Sequence, residues 1–325
     1  MVKLNTNENP YPPSPRVIAA VAAQCDARLR LYPDPQSRAL RAKASEVYGV
    51  PPDHVLAGNG SDELLALLFR ATVDAGDRVA FPVPTYSLYE VLAGVQGATV
   101  VRMPWNPDWT VPAALAATDA RLTFLCNPNS PSGTLVPVPA IAELAAAARG
   151  ILVVDEAYVD FAPDDAPALS LVGQVPNVVV LRTFSKAFSM CGLRVGLAFG
   201  HPEVIAGLDV VRDSYNLDRL AQAGAVAALD DLGHMQANAA RVRATRARLT
   251  RALEDLGYAV VPSHANFVLA RTPGRDQSRV AAALAEVGIL VRYFATPELC
   301  DALRISIGSD DEIDALLAAL RPLVR

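Results

Sequence analysis

Between His54 and Phe199 the chain repeats one pattern: a short, wholly apolar run, a turn, then a stretch of helical period. Ile151–Asp155 and Val178–Leu181 are the clearest runs, and neither shows the polar alternation of a half-solvated strand. A strand that is apolar on both faces must be covered on both faces, and helices between such strands supply the cover. The pattern predicts an α/β fold whose mostly parallel sheet is flanked by helices. Strands are expected at His54–Ala57, Arg78–Phe81, Thr99–Met103, Arg121–Cys126, Ile151–Asp155, Val178–Leu181 and Val195–Phe199. Helices are expected between them at Ser61–Val73, Thr85–Val95 and Pro139–Arg149.

The flanks read differently. Ser14-Pro15 looks like an N-cap with a first-turn proline, opening a helix to about Arg30, and a second helix runs from Gln36 to Tyr48 with Gly49 as its stop. Asn5 to Pro15 is rich in Asn and Pro and should be extended. After Asp218 a long helical stretch continues to about Leu256. Strands follow at Tyr258–Val261, Phe267–Ala270, Ile289–Arg292 and Leu303–Ile307, which reads as a smaller α+β domain. A chain of 325 residues exceeds one ordinary core. The expected division is an opening segment 1–30 packed on the small domain or a subunit interface, a large domain 31–217, and a small C-terminal domain 218–325.

Composition removes several classes of function. A 52% hydrophobic and 19% charged chain is globular rather than disordered. Net charge is −5 and no basic stripe appears, so no nucleic-acid partner is expected. No apolar run approaches membrane length. Even the alanine-rich Ile141–Ala148 is interrupted by Glu143, and the N-terminus lacks an apolar signal core. The four cysteines and four histidines are scattered without a C-x-x-C pair, so no metal site is expected. A soluble cytoplasmic protein with reduced thiols is the expectation.

Five groups of residues carry possible chemistry, each just past an expected strand, where open α/β sheets bind ligands. Lys186 follows Val178–Leu181 and is accompanied by Thr183, Ser185 and Arg194. An amine beside two hydroxyls and a guanidinium suits a phosphorylated carbonyl, with the amine forming a Schiff base and the others holding the phosphate. Asp155 ends a buried run and needs a partner there, which a pyridinium nitrogen would provide; Tyr158 lies three residues on. Asn127 opens a turn stiffened by Pro128, Pro131 and Gly133. Gly58 to Glu63 joins a strand to a helix, and the free N–H groups there favour phosphate. Tyr86, in Pro84-Thr-Tyr86, could stack on a flat ring. Singly, each has an ordinary reading: a surface lysine, a turn-capping Asp, a loop, first-turn acids, a core tyrosine. It is their joint placement after successive strands of one sheet that argues for a site.

At this point the chain resembles histidinol-phosphate aminotransferases, a branch of the class I/II, fold-type I aminotransferases that use pyridoxal 5'-phosphate. The resemblance spans essentially the whole chain. It rests on Leu4-Asn-Thr-Asn-Glu-Asn-Pro10, Tyr32-Pro-Asp, Gly58-Asn-Gly-Ser-Asp-Glu63, Pro84-Thr-Tyr86 and Asn127-Pro-Asn-Ser-Pro-Ser-Gly133. It continues through Val154-Asp-Glu-Ala-Tyr158, Arg182-Thr-Phe-Ser-Lys-Ala-Phe188, Gly192-Leu-Arg194, Asp213-Ser-Tyr-Asn216, Asn266-Phe267 and Leu303-Arg-Ile-Ser-Ile-Gly308.

The resemblance implies roles. Lys186 would carry the cofactor and move the proton, Asp155 would pair with the ring nitrogen, and Asn127 and Tyr158 would hold its phenolic oxygen. Tyr86 would stack on the ring. Gly60, Ser61 and Asp62, largely through backbone N–H groups, would hold the phosphate with Thr183, Ser185 and Arg194. Tyr32 would reach the phosphate of the other subunit in a homodimer. Arg304 and Arg292 would bind the substrate anion, and Asn7 would line the substrate pocket. In the family an arm ahead of the opening block adds a tyrosine near the substrate phosphate, whereas three residues precede Leu4 here.

The implied reaction is transfer of the amino group of L-histidinol phosphate to 2-oxoglutarate in histidine biosynthesis. The alternative within the same chemistry is an aromatic amino-acid (phenylalanine) aminotransferase. A decarboxylase or lyase fits less well, because Arg304 would anchor a carboxylate that is kept. An aminotransferase-like regulator would need a helix-turn-helix segment that this sequence does not contain.

Overall fold

The computed structural model describes residues 1–324. A short strand β1 (Val2–Leu4) and helices α1 (Pro15–Ala22) and α2 (Arg38–Tyr48) open the chain. There follow β2 (Val55–Gly58), α3 (Gly60–Thr72), β3 (Arg78–Val83), α4 (Leu88–Gln96), β4 (Thr99–Pro104), β5 (Leu122–Cys126), α5 (Val138–Ala147), β6 (Ile151–Asp155), β7 (Val178–Thr183) and β8 (Gly196–Phe199). Helices α6 (Pro202–Val211), α7 (Arg219–Leu229) and α8 (Leu232–Asp255) lead to β9 (Ala259–Val261), β10 (Phe267–Arg271), α9 (Ser278–Glu286), β11 (Ile289–Tyr293), β12 (Ala302–Ser306) and α10 (Asp310–Leu320).

The first sheet has seven strands in the order β2-β8-β7-β6-β5-β3-β4. Strands β7, β6, β5, β3 and β4 run parallel, and β8 is antiparallel to both its neighbours. Every residue of β5 and β7 is buried, as expected for strands covered on both faces. Parallel register aligns the carboxyl ends: Cys126 lies opposite Asp155, and Asp155 opposite Leu181. The residues that follow these strands therefore emerge side by side at one edge of the sheet.

The second sheet has five strands, β1-β11-β12-β10-β9. Its pairings are antiparallel except that β1 runs parallel to β11, with Val2 opposite Ile289. Three residues cannot hold a strand alone. Leu4 is 1% exposed, and a fully buried leucine contributes about 1.5–3 kcal/mol. That burial and the seat against β11 hold the chain's opening against the second sheet.

The strands fall where the apolar runs predict, to within a few residues, but three expected helices differ. The first stops at Ala22, and a separate 3-10 turn spans Ala27–Arg30 because the Asp26 side chain accepts from the Arg28 N–H and starts a new turn. Helix α4 begins at Leu88 rather than Thr85. The Pro84 carbonyl is instead held by Trp105 Nε1 and Asn129 Nδ2, at 3.0 and 3.2 Å. The single helix expected after Asp218 is two, broken at Asp230-Asp231. Both aspartates are drawn into tertiary contacts, Asp230 to Lys43 at 2.9 Å and Asp231 to the Ser14 hydroxyl at 2.5 Å. Among the described residues no helix is long and apolar enough to cross a membrane.

Candidate active site

Asp155 is the last residue of β6 and is 2% exposed. Two protein donors reach it, Tyr89 Oη at 2.8 Å and the Ala157 N–H at 3.2 Å. Burial pushes its carboxyl up to about 6, although both hydrogen bonds and the Lys186 charge pull the other way. Among the described residues it forms no salt bridge. A buried carboxylate of this kind calls for a cation.

Lys186 lies three residues past β7, half-buried, with Nζ 5.7 Å from the centre of the Tyr158 ring. The turn that carries it is clamped from the chain's opening segment, where Asn9 Nδ2 donates to the Lys186 and Ala187 carbonyls at 3.1 and 3.2 Å. Tyr158 is buried edge-on against Phe267, and its hydroxyl accepts from Asn7 Nδ2 at 3.1 Å. Asn127 is fully buried; its side chain meets the Val136 N–H and carbonyl at 2.7 and 3.0 Å. That bidentate contact fixes its orientation and leaves one amide hydrogen uncommitted, since a primary amide carries two.

An anion cradle lies beside these groups. Helix α3 starts at Gly60 with no side-chain cap, so its first N–H groups are free. Gly60 has φ +76°, and a Cβ there would lie 2.5 Å from Arg194 Nη2. Gly196 opposite is equally constrained, since a Cβ would lie 2.6 Å from the Ser61 nitrogen. Only glycine at both places lets strand, helix end and guanidinium converge. Arg194 itself sits at φ +52°, a conformation costing about 1 kcal/mol for a non-glycine residue. Its guanidinium then reaches Ser185 Oγ at 3.2 Å and Asp62 Oδ2 at 3.1 Å. Thr183 Oγ1 and Ser185 Oγ are 2.9 Å apart. Asp62 does more than its sequence position suggests: besides Arg194, its side chain accepts from Tyr86 Oη at 3.1 Å and so fixes that ring.

The second sheet contributes the opposite wall. Arg292 and Arg304 are directly opposed in the β11–β12 pair, so their side chains share one face. Arg304 reaches the loop after β5 and the opening segment, with Nη1 donating to Ser130 Oγ at 3.3 Å and Nη2 to the Asn5 carbonyl at 2.9 Å. Burial, reinforced by the charge of Arg292, lowers its affinity for a proton, and its Nε is buried without a partner. Arg292 is exposed beside Phe294. Asn7, at φ +55°, is locked by Ser306 and by Asn266.

The residues singled out in the sequence thus gather at one place with two exceptions. Arg292 stands at its exposed margin. Tyr32 is 76% exposed, stacks on Tyr215 at 4.2 Å and makes no hydrogen bond to the cluster. Three contributors escaped the sequence reading: Tyr89, Asn9 and the side chain of Asp62. Behind the site a buried ion group, Glu156–Arg182–Asp160, braces the turn after β6, and burial holds the Glu156 carboxyl near 7. Among the described residues no group of three or more His, Cys, Asp or Glu could hold a metal ion. The arrangement offers an amine, a buried carboxylate awaiting a cation, an anion cradle and a second cationic wall.

The family model for aminotransferases of class I and II matches residues 1–320. The chain is 48% identical over 319 residues to a histidinol-phosphate aminotransferase of Geotalea daltonii, covering 98% of this chain and 91% of that one. It is 44% identical over 326 residues to histidinol-phosphate aminotransferase 1 of Trichormus variabilis, covering 100% and 93%. The fold is similar to the crystal structure of histidinol-phosphate aminotransferase from Sinorhizobium meliloti in complex with pyridoxal-5'-phosphate. There the TM-score is 0.93 at 30% identity, covering 100% of this chain and 91% of that one. The lysine, the carboxylate and the cradle thus sit in a chain that belongs to the class I and II aminotransferases.

Proposed function

We infer that the protein transfers the amino group of L-histidinol phosphate to 2-oxoglutarate, giving imidazole acetol phosphate and L-glutamate, with pyridoxal 5'-phosphate as cofactor. Identity of 48% over 98% of the chain to a relative bearing that name carries the reading. The site fits the cofactor: among the described residues Asp155 has no salt-bridge partner, which a ring nitrogen would supply, and the uncapped start of α3 with Arg194 offers N–H groups and a cation to a phosphate.

When bound, pyridoxal 5'-phosphate supplies an aldehyde that exchanges amines and a protonated ring that draws electrons from the substrate's α-carbon. The Lys186 amine would be the attachment point, and its Nζ would carry the proton of that carbon. Asp155 would hold a proton on the ring nitrogen. Tyr158 Oη and the free Asn127 N–H would donate to the phenolic oxygen, and Tyr86, pinned by Asp62, would cover the ring. Gly60, Ser61 and Asp62 through their N–H groups, with Thr183, Ser185 and Arg194, would hold the phosphate. Asn7 lines the pocket, and Arg304 and Arg292 bind the substrate anion. In this reading 31–217 is the cofactor domain, 218–325 the small domain and 1–30 the segment packed against it. The protein acts as a cytoplasmic homodimer.

Two expected results test the substrate and the dimer. A phosphate dianion gains from two fixed cations where a carboxylate needs one. Arg292→Ala therefore lowers kcat/KM for histidinol phosphate more than for glutamate, by about 1–3 kcal/mol, or roughly five- to a hundred-and-fiftyfold. Wild-type specificity constants with histidinol phosphate and phenylalanine decide the substrate itself. A tenfold advantage for phenylalanine would replace this reading with that of an aromatic aminotransferase.

The second test concerns Tyr32. Its exposure, and its lack of a hydrogen bond to its own chain's cluster, fit a residue that serves the site of a second copy. Tyr32→Phe should cost about 1.5–3 kcal/mol in phosphate binding. Mixing Tyr32→Phe chains with Lys186→Ala chains should restore activity above the average of the two parents, because each mixed dimer then holds one intact site. No gain on mixing means that each site is private to its chain.

A further inference from the structure

Tyr89, on α4, is fully buried, stacked on Phe124 of β5 at 4.6 Å and edge-on to Tyr86 at 5.6 Å. Phenylalanine would serve that packing equally well, and a buried hydroxyl is unfavourable unless it is hydrogen-bonded. This hydroxyl points at Asp155, with Oη 2.8 Å from Oδ2, while the Ala157 N–H takes Oδ1 at 3.2 Å. A carboxylate gripped once on each oxygen cannot rotate, and each oxygen keeps a lone pair for a cation. We propose that Tyr89 is a positioning residue that fixes the direction of the Asp155 carboxylate and keeps it ionised, so that the cofactor's ring nitrogen keeps its proton. The proposal rests on the reading of Asp155 given above.

The surroundings make the hydroxyl matter. Asp62 of α3 and Glu156, the residue after Asp155, oppose its ionisation, as does burial. Lys186, the Ala157 N–H and Tyr89 favour it, with the Cys126 thiol of β5 beside them. The Lys186 amine is committed to attaching the cofactor, which leaves the phenol and one backbone N–H. Burial and the neighbouring carboxylate hold the phenol's own proton far more tightly than usual, so it stays a donor across the working range.

The test uses holoenzyme carrying cofactor labelled with nitrogen-15 in the ring, whose NMR shift reports the nitrogen's proton. In Tyr89→Phe that proton should be lost about one to two pH units lower than in wild type, the size expected for one hydrogen bond to a charged group. The alkaline limb of kcat should move with it, with little change in KM. Site-specific 3-fluorotyrosine at position 89 is a stronger donor of nearly the same shape and should move the titration the other way. Phe124→Leu removes the stack but keeps the hydroxyl; it should lower the melting temperature and leave the titration unchanged. A Tyr89→Phe titration identical to wild type overturns the proposal. Asp155→Asn separates the two layers. If it leaves the nitrogen protonated, the reading of Asp155 fails. If it strips the proton while Tyr89→Phe does not, only the role of Tyr89 fails.

Discussion

Replacing Lys186 with alanine should reduce turnover by a factor of roughly ten thousand or more, since in the proposed reading one change removes both the attachment point and the group that moves the substrate proton. The loss should fall on kcat, because the phosphate cradle and the arginine wall are untouched. Borohydride treatment of the wild type should fix the cofactor to a single peptide containing Lys186, read by mass spectrometry. The position past β7 and the Asn9 clamp on its turn are the structural grounds for choosing this lysine. A tag on any other lysine would remove them.

Asp155→Ala should be nearly as damaging. Removing one partner of a buried charge pair costs about 3–5 kcal/mol, or roughly two to four orders of magnitude in cofactor affinity and proton abstraction together. The same residue should have the opposite effect on the cofactor-free protein. Its folded-state pKa is raised to about 6 from an ordinary 3.8, so the folded state takes up its proton more readily than the unfolded chain. The carboxylate therefore destabilises the fold above pH 6 by about 3 kcal/mol, and this penalty fades as pH falls toward 4. Cofactor-free Asp155→Asn should melt at a higher temperature than wild type at pH 8, with the difference closing near pH 4. Equal melting temperatures at pH 8 would show that Asp155 carries no such penalty.

The sheet was legible because its strands are continuous apolar runs, and a run buried on both faces leaves little choice of fold. Ile151–Asp155 was recovered to the residue. Helix ends were less legible, since Asp26, Asp230 and Pro84 end or delay helices through partners that local periodicity does not contain. At the site, residues that sit just past strands were readable, because strand ends converge whatever the loops do. Tyr89 was not, because a tyrosine one turn after Tyr86 reads as core, and its partner lies 66 positions away. The Asp62 side chain was hidden likewise: a first-turn acid suits a helix N-terminus, and its service to Arg194 and Tyr86 appears only once the turns after β7 and β3 both reach the start of α3. β1 went unread because three residues carry no periodicity.

The pairing of β1 with β11, and of Asn7 with Ser306 299 positions away, sets an order of assembly. Closing a loop of that length costs about 5 kcal/mol of chain entropy, recovered only when both ends meet. A ribosome delivers the opening strip first and its partners last. The seven-stranded sheet, finished by Phe199, can form while the strip still waits. Until β11 and β12 exist, the strip lacks the pairing of β1 and the Ser306 contacts of Asn7, while Asn266 and the helices after Asp218 can already hold it. The growing chain can thus have a folded sheet well before the opening strip is fully seated against the second sheet.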